Sequence, residues 1–311
     1  LYEGAKDSKK LAGVLEIQLS HTEDVDTRVE RMRHLAQLVE TALKDKGTAY
    51  TWYLKAFSED HKPEWLRTEL ERLAAETGGY AQLVQAYEAA VPKFADKFEA
   101  LPLQLVVASV YEQQLGSAEK AIETNRQILG TDENNAVALE ALERLYLKTS
   151  KYQELLGIYQ KKLELEMDPG NQKAIRYQIA QLFENEIKDP AQAVTAFRAI
   201  IDGTGGENEL EAWQALDRIY TATAQWAELQ ATIPRELELT DAANVDSVVL
   251  LKYRLGQIRE TYLSDVPGAI DCYREILDLQ VGHDGAREAL ERRLGDEQFQ
   301  VEAANVLQPV Y

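Results

Sequence analysis

The feature that most limits the folds open to this chain is a set of side-chain patterns returning every 72–74 residues. One pattern runs Leu142, Tyr146, Tyr152 and returns as Leu216, Tyr220, Trp226. Leu70, Ala74 and Tyr80 keep the same offsets, and Leu290 and Leu294 hold the first two slots again, with Gln300 in the aromatic position. A second pattern sets small residues at Ala36, Ala108, Ala180 and Gly256, followed by Ala49, Ala121, Ala193 and Ala269. A third anchor, Leu11, Leu83, Leu155 and Leu229, falls 13 residues after each preceding leucine of the first pattern. Three ladders sharing one period mark a chain built by stacking one unit on the next.

Within each unit the apolar residues recur at i, i+3, i+4 and i+7, as in AEKAIETNRQIL and ALERLYLK, which is helical spacing. Short polar joints such as GTDENN, EMDPGN and IKDP separate these segments, and their Gly, Pro, Asp and Asn content suits turns and helix starts. Alternating strand patterns are missing. The unit is therefore two helical hairpins of about 36 residues, neither of which can bury its apolar face alone. The extra residues of later units fall in joints, at DGTGGENELEA and ELTDAANVDS.

The residues resemble the tetratricopeptide repeat family. That motif places a small residue and an aromatic on its first helix, A, and an alanine with an aromatic four later on its second, B. The stretch IAQLFENEIKDPAQAVTAFRAII supplies Ile179, Ala180, Phe183, Ala193 and Phe197 in those slots, with one extra residue in the turn. Small side chains let two helix backbones approach, and aromatics fill the flanking space. Alternate hairpins, such as LERLYLKTSKYQELLGIYQKKL, match less well, because Leu155 stands where alanine belongs, and are expected to splay slightly wider. The resemblance implies an all-α, right-handed α-solenoid of about eight stacked hairpins and roughly 17 helices, running as one array over 1–311. Its units are 11–82, 83–154, 155–228 and 229–311, after a partial unit at 1–10. Phrases such as LEIQLSHTED and AANVLQPVY also resemble the large multi-repeat proteins of myxobacteria, some of them parts of envelope and gliding-motility machinery.

Leu1-Tyr2 occupies slots that lie inside a helix in later units, and VEAANVLQPVY ends without a helix stop signal. Terminal repeats usually carry polar caps, so both ends suggest a segment of a longer protein or end-to-end docking of chains.

Charge narrows the partners. With 53 acidic and 34 basic side chains the net charge is −19, which argues against nucleic acid, whose binding needs a basic surface. It suits a soluble protein or one with a basic partner. No apolar run is long enough to insert into a membrane, and the compartment, cytoplasmic, periplasmic or envelope-associated, stays open. A single cysteine, Cys272, excludes an internal disulfide and a thiolate metal cluster; beside core Tyr273 it is expected to be a partly buried, inert thiol. His21, His34, His61 and His283 show no metal-ligand spacing, and no catalytic motif or phosphate-cradling loop occurs, TGGENE at 204–209 lacking the lysine such a loop needs. Neither an enzyme nor a cofactor or metal site is expected.

In the resembling family a concave, protein-binding groove is built mainly from the A helices. Carried over, one row of that groove is Glu40, Glu112, Glu184 and Glu260, and another is Gln37, Ser109, Gln181 and Gln257. The alternate hairpins add Arg72, Arg144, Arg218 and Arg292. Such rows could grip a peptide or helix of a partner protein. A residue repeated in every unit more often serves contacts between helices, so a Glu–Arg ladder between neighbouring A helices is the favoured alternative. Residues that break the pattern then gain weight as site candidates: Asn125, where three units have Tyr or Phe, and Trp52, in a slot that varies. Pro92 and Pro234 fall inside predicted helices and should kink or split them. The two functions left standing are an interaction scaffold and a structural spacer or filament element.

Overall fold

The computed structural model describes residues 7–203 and 206–311, so the placement expected for Leu1-Tyr2 lies outside the described residues, as do positions 204 and 205 of the glycine-rich joint. Among the described residues there are seventeen α-helices and no strand. They are α1 Ser8–Ser20, α2 Val25–Ala42, α3 Lys46–Glu59, α4 Glu64–Thr77, α5 Tyr80–Ala90, α6 Lys97–Gln113, α7 Ala118–Thr131, α8 Ala136–Lys148 and α9 Tyr152–Leu165. Then follow α10 Pro169–Leu182, α11 Pro190–Ile201, α12 Leu210–Ala222, α13 Trp226–Leu239, α14 Val245–Thr261, α15 Val266–Leu279, α16 Asp284–Arg293 and α17 Gln300–Leu307. From α2 onward, even-numbered helices are the A helices and odd-numbered ones the B helices of eight hairpins. The chain forms two compact units, Leu1–Ile158 and Tyr159–Tyr311. Each is an α-solenoid stack in which successive helices pack on one another.

The polar joints start the helices. Asp24, Asp45, Asn135, Asp168, Asp189, Asn244 and Asp265 each accept a hydrogen bond from the backbone N–H three residues on, which satisfies a donor the helix itself cannot. Proline adds to the start of α10, α11 and α15, where its missing N–H costs nothing.

The extra turn residue of the well-matched hairpins has a structural counterpart. In the turns before α3, α7, α11 and α15, the N–H groups of Asp45, Ser117, Asp189 and Asp265 reach back six residues, to the carbonyls of Val39, Tyr111, Phe183 and Arg259. The preceding residue is left-handed each time: Lys44, Gly116, Lys188 and Ser264, at φ 56° to 62°. After α10 the extra residue winds a π-helical turn over Phe183–Ile187. The alternate hairpins close one residue tighter. Gly79, Lys151 and Gln225 donate to Ala74, Tyr146 and Tyr220, five residues back, after left-handed Gly78, Ser150 and Ala224.

The recurring residues form the core. Ala36, Ala49, Ala74, Ala121, Ala180 and Ala193 are fully buried, as are Leu70, Leu155, Leu229 and Leu290. Tyr53, Phe197 and Tyr273, four residues after the B-helix alanines, fill the space beside them. At Gly256 the two helices meet closely: a Cβ there would stand 2.7 Å from Tyr273 Cε1. The hairpins α2–α3, α6–α7 and α14–α15 pack most extensively, while α10–α11, which has the same small residues, packs no more closely than the alternate hairpin α12–α13.

The prolines act differently from one another. Pro92 ends α5, and Val91–Lys93 tightens into a 3₁₀ turn. Pro234, expected to kink or split its helix, leaves α13 continuous from Trp226 to Leu239, and Pro102 likewise lies inside α6.

Candidate functional site

The glutamate and arginine rows meet each other. In the first unit, Arg72 Nη2 stands 2.8 Å from Glu40, and Arg144 Nη2 stands 3.2 Å from Glu112. In the second, Arg218 makes a two-pronged contact with Glu184 at 3.1 and 3.0 Å. Each pair joins one A helix to the next A helix, 32 or 34 residues along. Glu260 is the exception to the expected register. Arg293 contacts it at 2.5 Å, while Arg292, the residue carried over for that slot, comes only to 3.9 Å. Glu260 also accepts the Tyr273 hydroxyl at 2.8 Å, so its oxygens are shared between two helices.

The carboxylates are the shielded partners, with side chains 10–19% exposed. Arg72 is held by three acids, Glu40, Glu69 and Glu76, and the Glu40 hydrogen bond leads the causes that raise its pKa. These guanidiniums are committed within the chain. What remains presented on the A helices is the row one turn earlier: Gln37, Ser109, Gln181 and Gln257 are all exposed. Gln181 makes a long contact of 3.4 Å with Glu211.

The two pattern-breaking candidates do not join this face. Asn125 is 1% exposed, and its Nδ2 donates to the Ala121 carbonyl at 2.8 Å. Its amide replaces an aromatic by bonding back to its own helix inside the core, so its side chain stays off the surface. Trp52 is on a B helix, half-buried, with the Lys55 ammonium 4.1 Å from its ring centre. It lines a cleft with Arg28, Met32 and Glu59, where Arg28 and Glu59 form a double hydrogen bond at 2.7 and 2.6 Å.

Two features were not singled out from the sequence. Between α4, α5 and α6 lies a cleft of about 330 Å³ lined by Glu64, Arg67, Thr68, Glu71, Tyr87 and Leu103. Arg67 Nε is buried there with no hydrogen-bond partner. In the second unit, Arg254 grips buried Asp217 at 2.6 and 3.0 Å, and Glu236 is buried beside them. Glu71 and Asp217 hold one recurring acidic position, just before the arginine row, but Arg254 and Glu236 have no counterpart in other units.

Cys272 is 4% exposed, its Sγ meets Arg259 Nη1 at 3.4 Å, and burial raises its pKa. His283 starts α16 by accepting the Ala286 N–H at 3.0 Å. Among the described residues, no group of three or more His, Cys, Asp or Glu side chains is placed to hold a metal ion. No described helix is long and apolar enough to cross a membrane.

With two helices to a unit-half, small residues at their crossing and a left-handed turn between them, one segment also matches a family by sequence. Residues 138–173 match the tetratricopeptide repeat model. That segment holds α8 and α9, a hairpin of the alternate set expected to match less well. The tighter turn explains it: the five-residue closure at Lys151 carries no inserted residue, whereas the six-residue closures shift helix B by one position against helix A.

Solved tetratricopeptide repeat proteins are similar to the chain at low identity. YrrB, described as having an unusual peptide-binding site, is 17% identical over 67% of this chain and 99% of its own, with a TM-score of 0.35. A repeat protein from Parabacteroides merdae is 16% identical over 85% and 97%, with a TM-score of 0.35. The TPR2AB domain of yeast Sti1, solved in complex with pHSP90, is 16% identical over 90% and 99%, with a TM-score of 0.37. No curated protein matches the sequence.

Proposed function

We propose that the chain is a protein-interaction scaffold whose A-helix face holds a peptide or helix of a partner protein. One observation carries this reading: the ladder charges are spent on one another, while Gln37, Ser109, Gln181 and Gln257 stand exposed one turn away on the same helices. Amide and hydroxyl side chains both donate and accept, so such a row pairs with an extended backbone or with polar side chains of a helix. The ion pairs beside it hold neighbouring A helices in register, which limits the ordering cost of binding. The net charge of −19 favours a protein, above all a basic one, over nucleic acid. The proposal extends to a single array over the units 11–82, 83–154, 155–228 and 229–311. It extends also to an envelope or motility assembly of the kind that the myxobacterial resemblance suggests.

The test is capture of partners from the source cell by the wild-type chain and by a variant carrying Gln37→Asp, Ser109→Asp, Gln181→Asp and Gln257→Asp. A partner held by the wild type and released by the variant supports the reading. Equal retention by a variant that keeps its helical content removes the A-helix face from the account. The spacer or filament alternative rests on the same ladder, because internally satisfied charges stiffen a rod without needing a ligand. Concentration-dependent growth of the particle in light scattering, with no partner captured, would favour it.

A further inference from the structure

We propose that the junction of α12, α13 and α14 is a proton-operated joint, closed when Glu236 carries a proton and loosened when it does not. Among the described residues, Asp217 and Glu236 are the only buried acids. Glu236 on α13 is 7% exposed, Asp217 on α12 is 5% exposed, and Arg254 on α14 reaches Asp217. Both prongs of Arg254 go to Asp217, with a further contact to the Thr221 hydroxyl at 3.2 Å. Glu236 Oε2 is buried with no hydrogen-bond partner. The site thus holds two acids and one cation, and the cation is committed to the first acid.

An ionised Glu236 would be an uncompensated charge in a dry site beside a second carboxylate, an arrangement that resists ionisation. The protonated acid avoids this, since its O–H can donate to Asp217 while Asp217 keeps its charge and its pairing with Arg254. Burial first, then the charge of Asp217, push Glu236 up to about 7, against the opposing pull of Arg254 and a hydrogen bond from Gln214. Those are the charged and polar groups facing it: Asp217 and Gln214 from α12, and Arg254 from α14.

The surrounding sequence shows why this is local. The positions matching Arg254 in other units are His34, Val106 and Gln178, and those matching Glu236 are Gln18, Ala90 and Lys162. Only this junction combines the three.

A group whose folded-state pKa is raised favours folding below its unfolded value, and that contribution falls as pH rises toward the folded value. For Glu236 the window runs from 4.5 up to about 7. Above it, the carboxylate is satisfied only by admitting water, which requires α13 to part from α12 and α14. Proton loss therefore opens a hinge inside the second unit without unfolding the rest.

Hydrogen exchange of α13 amides in the full chain, corrected for the intrinsic effect of pH, tests the joint. Protection should fall by on the order of tenfold between pH 6 and 8 in the wild type, since each pH unit below the folded-state pKa shifts the opening equilibrium about tenfold and the effect levels off above it. Glu236→Gln, which keeps the neutral shape, should hold protection constant over that range. Constant protection in the wild type, or the same loss in Glu236→Gln, would overturn the proposal. Carbon-13 NMR of the glutamate carboxyls in the wild type gives a measure independent of any variant. A resonance titrating near neutrality is expected, and a spectrum in which no glutamate titrates between pH 6 and 8 would overturn the joint.

Discussion

Arg72 on α4 meets Glu40 on α2 at 2.8 Å, bridging two A helices with one B helix between them in sequence. Arg144 repeats the contact with Glu112, and Arg218 with Glu184. A double-mutant cycle on Arg72→Ala and Glu40→Ala should give a coupling of about 0.5 kcal/mol, weakened by salt, because the arginine is partly exposed and solvent screens it. Urea denaturation at low and high ionic strength measures it. A coupling of zero at both would leave the ladder without energetic content.

Gly256 is fitted to Tyr273. Gly256→Ala puts a methyl 2.7 Å from Cε1 of the ring and 3.3 Å from Cys272 Cβ, so the ring or the helix must shift. The expected loss is about 1–3 kcal/mol, the range for overpacking. Ala36→Gly, in the matching slot of the first unit and fully buried, should cost about 1 kcal/mol through helix propensity. Thermal unfolding separates the two.

The turns offer a test with opposite signs. Ala224 sits at φ 54° and Gly78 at φ 72°, both the residue before a five-residue closure. Ala224→Gly should stabilise the chain by about 0.5 kcal/mol, and Gly78→Ala should destabilise it by about 1 kcal/mol. Loss of stability in both would mean that Ala224 is held by contacts other than its turn.

Cys272 should resist modification. Burial keeps its thiol from ionising, so its reaction with a disulfide reagent at pH 8 should be slower in the native chain than in urea by on the order of tenfold or more. Equal rates would show an α15 that opens freely.

Much of the fold was legible because repetition multiplies weak signals. One alanine near an aromatic says little, but Ala49, Ala121, Ala193 and Ala269 at one period identify a helix crossing, and they are buried. The same logic exposed the Glu–Arg register, since residues that recur together must meet together. It missed by one position at the end, where Arg293 and not Arg292 comes nearest Glu260. A break in a core pattern does not by itself mark a surface site: the Asn125 amide bonds to Ala121 inside the helix and stays buried. Arg254 and Glu236 stayed invisible for the opposite reason, and Asp217 showed only as one acid of a recurring row with Glu71, Glu143 and Glu291. The three come from three helices, occur together once, and acquire meaning only from proximity.

The central claim is that partners are held on the exposed A-helix row. Site-specific photo-crosslinking in the source cell tests it most directly, with the reactive group placed in turn at Ser109 on α6, at Gln257 on α14 and at exposed Glu123 on B helix α7. The account predicts a defined protein adduct from Ser109 and Gln257 and none from Glu123. Adducts from Glu123 alone, or none from either A-helix position, would contradict it.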